Sequence, residues 1–83
     1  EEIYMLINIM YFASLRDYSK TSFETLETEA KTVDELFTIL NEKYQFDIDK
    51  KHLRVAINEE YKCFHTTLSN NDTLVFIPPV AGG

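Results

Sequence analysis

The run Met5-Leu6-Ile7-Asn8-Ile9-Met10-Tyr11 is dense in strand-forming side chains and predicts a first strand buried on at least one face. Alternation puts Met5, Ile7, Ile9 and Tyr11 on one side, and Leu6, Asn8, Met10 and Phe12 on the other. The second set is oddly apolar for a side that meets only water, and it points to a surface for a partner. Residues 12–19 follow as a loop or short helical turn, with Arg16 read as a solvated surface charge. Residues 22–28 alternate polar and apolar positions, which predicts a second strand in a hairpin with the first.

Thr32-Val33-Asp34-Glu35 is a capping box, with Thr32 as N-cap, Glu35 at N3 and two acids complementing the helix N-terminus. Val33, Leu36, Phe37, Leu40 and Tyr44 then recur at helical spacing and make one apolar face over about three turns. Residues 45–51 form a polar connection in which Phe46 and Ile48 tuck against the core. Residues 53–57 read as a third strand, 58–60 as a turn and 61–64 as a short fourth strand. Ser69-Asn70-Asn71-Asp72 is a turn before a final strand over 73–77. The order β-β-α-β-β-β, with one helix over the face of a small mixed sheet, is an α+β arrangement.

Charge and cysteine usage narrow the partners. The net charge of −6 over 83 residues argues against nucleic acid and against an anionic membrane surface, and favours partners with basic faces. A single cysteine, Cys63, allows no internal disulfide and suits a reducing compartment, so a cytoplasmic protein is expected. The apolar stretch over 3–13 is too short to span a bilayer, and Glu1-Glu2 has the wrong charge for a signal peptide. Residues 1–4 are read as a remnant ahead of a natural start at Met5.

Ordinary catalytic sets are missing. His52 and His65 have no cysteine or carboxylate at zinc spacing, so no metal is expected. Cys63 falls in a strand pattern and is read as a buried, inert thiol. No glycine occurs before position 82, which leaves no phosphate-cradling loop. The isolated chain is therefore not expected to be an enzyme or to bind a cofactor.

The chemistry lies instead at Pro78-Pro79-Val80-Ala81-Gly82-Gly83. The prolines have no N–H for a ladder and end the last strand, so residues 1–77 form the domain and 78–83 a flexible tail. Six extended residues reach about 20 Å, enough to enter a pocket on another protein. Gly82 and Gly83 make the thread thin, and it presents a terminal carboxylate at Gly83. With a pKa of roughly 3.3–3.7 that group is an anion at neutral pH and a poor electrophile. An ATP-dependent adenylating partner could activate it, and a sulfur nucleophile could then displace AMP to leave a thiocarboxylate.

The β-β-α-β-β-β order with a Gly-Gly end resembles the ubiquitin-like β-grasp sulfur carriers. Within them, Tyr11-Phe12-Ala13-Ser14-Leu15-Arg16-Asp17, Val55-Ala56-Ile57-Asn58-Glu59 and Phe76-Ile77-Pro78-Pro79-Val80-Ala81-Gly82-Gly83 are similar to the small subunits of molybdopterin synthase. The resemblance implies that Gly83 is adenylated, thiocarboxylated and inserted with its tail into the large catalytic subunit. There its sulfur passes to cyclic pyranopterin monophosphate, and two transfers build the dithiolene of molybdopterin. It also implies an adenylating enzyme that uses ATP, a sulfur-donor system, a 2:2 assembly with the large subunit, and Phe12, Tyr61 and Ile77 packing on that subunit. A thiamine-pathway sulfur carrier and a ubiquitin-like protein modifier are the alternatives.

Overall fold

The computed structural model describes residues 4–79, so Val80, Ala81, Gly82 and Gly83 lie outside the described residues. Five strands, β1 (Met5–Tyr11), β2 (Phe23–Thr28), β3 (Arg54–Ile57), β4 (Glu60–Lys62) and β5 (Thr73–Ile77), make one mixed sheet in the order β2-β1-β5-β3-β4. β1 runs antiparallel to β2 and parallel to β5, while β3 runs antiparallel to both β5 and β4. A short helix α1 (Ser14–Ser19) separates β1 from β2, and α2 (Val33–Tyr44) separates β2 from β3. A single 3-10 turn at Lys50–His52 falls in the connection expected to be irregular. Among the described residues no helix is long and apolar enough to cross a membrane.

Alternation decides which sheet face is sealed. Ile7, Ile9 and Tyr11 of β1, Leu74 and Phe76 of β5, and Val55 and Ile57 of β3 are all buried, and they share a core with Val33, Leu36, Phe37 and Leu40 of α2. Aromatic rings fill the space between the layers. Phe37 lies 5.7 Å from Phe76 and 6.1 Å from Phe46, and Tyr11 meets Tyr44 edge-on at 5.9 Å. Such pairs add about 0.5–1.5 kcal/mol each beyond their area burial. Phe46 and Ile48 join this core as expected.

The start of α2 shapes the second half of the chain. Thr32 Oγ1 accepts from the Glu35 N–H at 3.2 Å, while Glu35 Oε1 accepts from the Lys31 N–H at 2.7 Å, one residue earlier than in the usual box. The Val33 and Asp34 N–H groups donate to the carbonyls of Thr66 and Phe64 at 3.1 and 2.9 Å. These donors have no partner inside the helix, and the 64–66 segment supplies one. The chain must leave the sheet to do so, and β4 therefore ends at Lys62 instead of running to Phe64. Cys63 is a consequence: it lies just past the strand and is exposed, correcting its reading as a buried thiol.

One polar knot sits at the edge of the core. Tyr11 Oη and Tyr44 Oη both donate to Glu24 Oε2, at 2.6 and 2.7 Å, and Lys43 Nζ lies 3.7 Å from Glu24 Oε1. Burial, then the hydrogen bond and charge of Glu24, push the Tyr11 phenol far above its ordinary value, and Tyr44 is raised by the same causes. A raised phenol contributes stability that is complete below the unfolded pKa of about 10 and is lost as pH rises beyond it. Folding stability should fall above pH ~10, and Tyr11→Phe should reduce the slope by up to about 1.4 kcal/mol per pH unit. Urea titrations across that range check this, and an unchanged slope would refute it.

The β3–β4 hairpin turns through Asn58 and Glu59 at φ 52° and 74°, between the paired Ile57 and Glu60. This two-residue connection favours Asn-Gly, and glutamate in the left-handed region carries a cost. Asn58 offsets part of it, accepting from the Thr73 N–H at 3.1 Å and donating to Asp72 Oδ1 at 2.9 Å. Glu59→Gly should raise stability by about 0.5–1 kcal/mol, read as a higher urea midpoint with unchanged m-value.

Candidate functional site

The face of the sheet away from α2 is bare, and its register assembles an apolar row across all five strands. Met10 pairs with Phe23 on one side and Val75 on the other, Val75 pairs with Ala56, and Ala56 with Tyr61. Phe23 and Tyr61, at the two ends, are 52% and 65% exposed, values that core side chains of this size do not show. Ala56 is buried yet stands outside the core cluster, as expected for a residue of this outer row. In an antiparallel sheet with one wet face, polar residues ordinarily occupy that face. Here the polar members, Asn8, Thr25 and Thr73, fall together in the next row instead.

A second row lies towards the C-terminal end of β5. Ile77 pairs with Arg54, and the parallel pairing Tyr11↔Phe76 sets Phe12, one residue on, level with Ile77. Phe12 is 44% exposed and Ile77 half-buried. The Arg54 guanidinium lies over the Tyr61 ring, 5.5 Å from its centroid. The three residues singled out as a packing surface, Phe12, Tyr61 and Ile77, thus fall in two adjacent rows. Sequence reading missed Phe23, Val75 and Ala56; the signal that finds them is cross-strand register, which a single chain's alternation does not contain.

Ala13 turns the chain out of β1 with φ 53° and ψ −127°, a combination far from the usual regions for a residue with a side chain. The turn places Leu15 in the core directly after exposed Phe12. At the other end of the row, β5 stops at Ile77, where Pro78 and Pro79 can give the ladder no donor. Pro78 is buried and Pro79 exposed.

Among the described residues, groups for catalysis do not converge on this face. A shallow depression of about 320 Å³ opens beside Met10 and Val75, lined otherwise by Thr73, Asn58 and Glu59. Among the described residues no three His, Cys, Asp or Glu side chains cluster as metal ligands. His52 and His65 are exposed. Cys63 Sγ lies 3.6 Å from Thr66 Oγ1, and that hydroxyl, with the backbone of His65, lowers the thiol below its ordinary value. The geometry is that of an exposed apolar surface, with Pro78 and Pro79 at one side of it.

The chain is similar to proteins that fit this picture. The profile of the ThiS family matches residues 9–83. The molybdopterin synthase sulfur carrier subunit of Haemophilus influenzae is 30% identical over 81 residues, covering 94% of this chain and 100% of that one. Among solved structures, SAMP1 from Haloferax volcanii superposes with a TM-score of 0.78 at 20% identity, over 94% of this chain and 99% of that one. The complex of subunits 1 and 2 of molybdopterin-converting factor from Helicobacter pylori contains a chain with TM-score 0.65 and 25% identity, over 95% of this chain and 100% of that one. With the sheet order and single packing helix, these likenesses make the fold a ubiquitin-like β-grasp of the α+β class.

Side chains that serve a covered surface are dispensable for folding when the surface is bare. Phe12→Ser and Tyr61→Ser should each change folding stability by no more than about 1 kcal/mol in urea titrations, since neither residue belongs to the core. A loss of several kcal/mol would make them structural.

Proposed function

The chain belongs to the ThiS family, and on that premise we propose that it is the sulfur carrier subunit of a molybdopterin synthase. In this reading it is a cytoplasmic, non-catalytic chain that binds no cofactor itself. The observation that carries it is the likeness to the Haemophilus influenzae subunit over that protein's whole length. The Pro-Pro-Val-Ala-Gly-Gly stretch and the bare apolar face support it.

The chemistry follows from the weakness of a carboxylate as an electrophile. On an adenylating enzyme, an oxygen of the Gly83 carboxylate attacks the α-phosphorus of ATP and pyrophosphate leaves. A sulfur nucleophile from a donor system then attacks the activated acyl carbon, AMP leaves, and a thiocarboxylate remains. The thioacid anion is a competent nucleophile, and holding it in the large subunit's active site supplies orientation that a free chain end lacks. Pro78, Pro79, Val80, Ala81 and Gly82 thread that site, while Phe12, Tyr61 and Ile77 pack on the surface around its mouth. The substrate there is cyclic pyranopterin monophosphate, and two deliveries complete the dithiolene.

Two measurements test the proposal. Intact mass after incubation with ATP, the adenylating enzyme and a sulfur source should rise by about 16 Da as the terminal OH becomes SH. Deleting Gly83, or adding one residue after it, should abolish sulfur transfer to the pterin precursor while the far-ultraviolet spectrum and urea midpoint stay unchanged. Normal precursor conversion by either variant would defeat the assignment. Sulfur delivered only to a thiazole synthase would mark a thiamine-pathway carrier, and Gly-Gly remnants on lysines of other proteins would mark a modifier.

A further inference from the structure

Half of the chain's positive charge is gathered at one place. Lys50, Lys51, Arg54 and Lys62, four of the eight Lys and Arg residues, line a shallow cleft of about 360 Å³, and no Asp or Glu lines it. This is a chain of net charge −6, in which a random patch would be acidic. The cleft forms where β4 ends at Lys62 and the chain turns away towards the start of α2, facing the 3-10 turn. Arg54 is the pairing partner of Ile77, so the cleft lies at the end of the sheet where the chain passes into Pro78. Tyr61 belongs both to this cleft and to the apolar row.

The four cations are not equivalent. Lys50 is tied to Asp34, Lys62 lies 3.2 Å from Glu60, and Lys51 lies 3.9 Å from Asp49. Exposed pairs of this kind contribute little and exchange readily for another carboxylate. Arg54 has no carboxylate within 4.0 Å among the described residues, and the Tyr61 ring below it restrains the guanidinium. A restrained planar fork is suited to bidentate recognition of a carboxylate.

We propose that Arg54, flanked by Lys51 and Lys62, is the charge-reading half of the docking face and receives a carboxylate-bearing segment of the large subunit. The proposal rests on the carrier reading above. It adds an ionic contact to the apolar one and assigns the partner an acidic segment beside its apolar patch. Free small anions suit the cleft poorly. The side chains of Lys51 and Lys62 are 72% and 42% exposed, so water competes for them, whereas a protein segment seated against Tyr61 would displace that water.

Calorimetric titration of the full chain with its cognate large subunit, at about 50 and about 300 mM salt, tests this. Wild-type affinity should weaken about tenfold at the higher salt; Arg54→Glu should weaken it at least about tenfold at low salt and flatten the salt dependence. Arg54→Lys should keep the salt dependence with a smaller loss, and Lys31→Glu, at an exposed cation outside the cleft, should stay within about twofold. Circular dichroism confirms that each variant is folded. Arg54→Glu binding within about twofold of wild type, while Phe12→Ala weakens binding, would overturn the proposal and leave the carrier reading standing. Wild-type chain that fails to bind at either salt would overturn both. Saturable amide shifts around Arg54 with inorganic phosphate alone, and no effect of Arg54→Glu on the large subunit, would assign the cleft to a small anion and overturn the proposal.

Discussion

A sheet presents side chains to two faces, and among the described residues one long helix, α2, is there to cover them. That constraint governs the molecule. α2 seals the face carrying Ile7, Ile9, Tyr11, Val55, Leu74 and Phe76, and these side chains with the helix's own apolar stripe are the core. Among the described residues no second long helix lies on the other face, and small domains bury a modest share of their surface in any case. The other face must therefore be polar or be covered by another molecule. The row from Phe23 through Met10, Val75 and Ala56 to Tyr61 leaves that face apolar, the kind of exposed patch that marks an interaction surface.

The beginning of α2 links this layering to the charge distribution. Its orphan N–H groups are met by carbonyls of Thr66 and Phe64, which pulls residues 63–68 off the sheet and shortens β4 to three residues. Had β4 continued to Phe64, the ladder would have occupied the space that is now the cationic cleft. A capping requirement at the start of α2 thus opens the cationic cleft beside it, where the Phe64 carbonyl accepts from the Asp34 N–H and Lys50 pairs with the Asp34 carboxylate. The same excursion exposes Cys63 and gives Sγ its contact with Thr66.

Much of the fold was legible in the residues. The strand over Met5–Tyr11, the Thr32 cap, the Val33-Leu36-Phe37-Leu40 stripe and the last strand up to the prolines each carry a local signal strong enough to survive folding. What was not legible is what depends on distant partners. The end of β4 is set by helix α2, some thirty residues earlier in sequence, and strand propensity at Cys63 and Phe64 contains no trace of that contact. The site divides the same way. Exposed Phe12 and Tyr61 followed from alternation and resemblance, whereas Phe23, Val75 and Ala56 join them only through register, and the position of Arg54 beside Tyr61 and Ile77 is set only by strand pairing.

Register also bears on the proposed delivery of Gly83 by a docked globule. Ile77 lies on the bare face and is followed directly by Pro78, whose ring fixes φ and whose side chain is buried. Ile77 and Pro78 therefore stand at the margin of the bare apolar face, with the backbone at Pro78 held by its ring and its burial. On the proposed carrier reading, six extended residues from Pro78 would reach about 20 Å, so a partner docked on Phe12, Tyr61 and Ile77 would confine Gly83 to a small volume. On that reading, affinity from the globule would appear as effective concentration at Gly83, which would hasten a reaction by holding that residue where the partner's groups act.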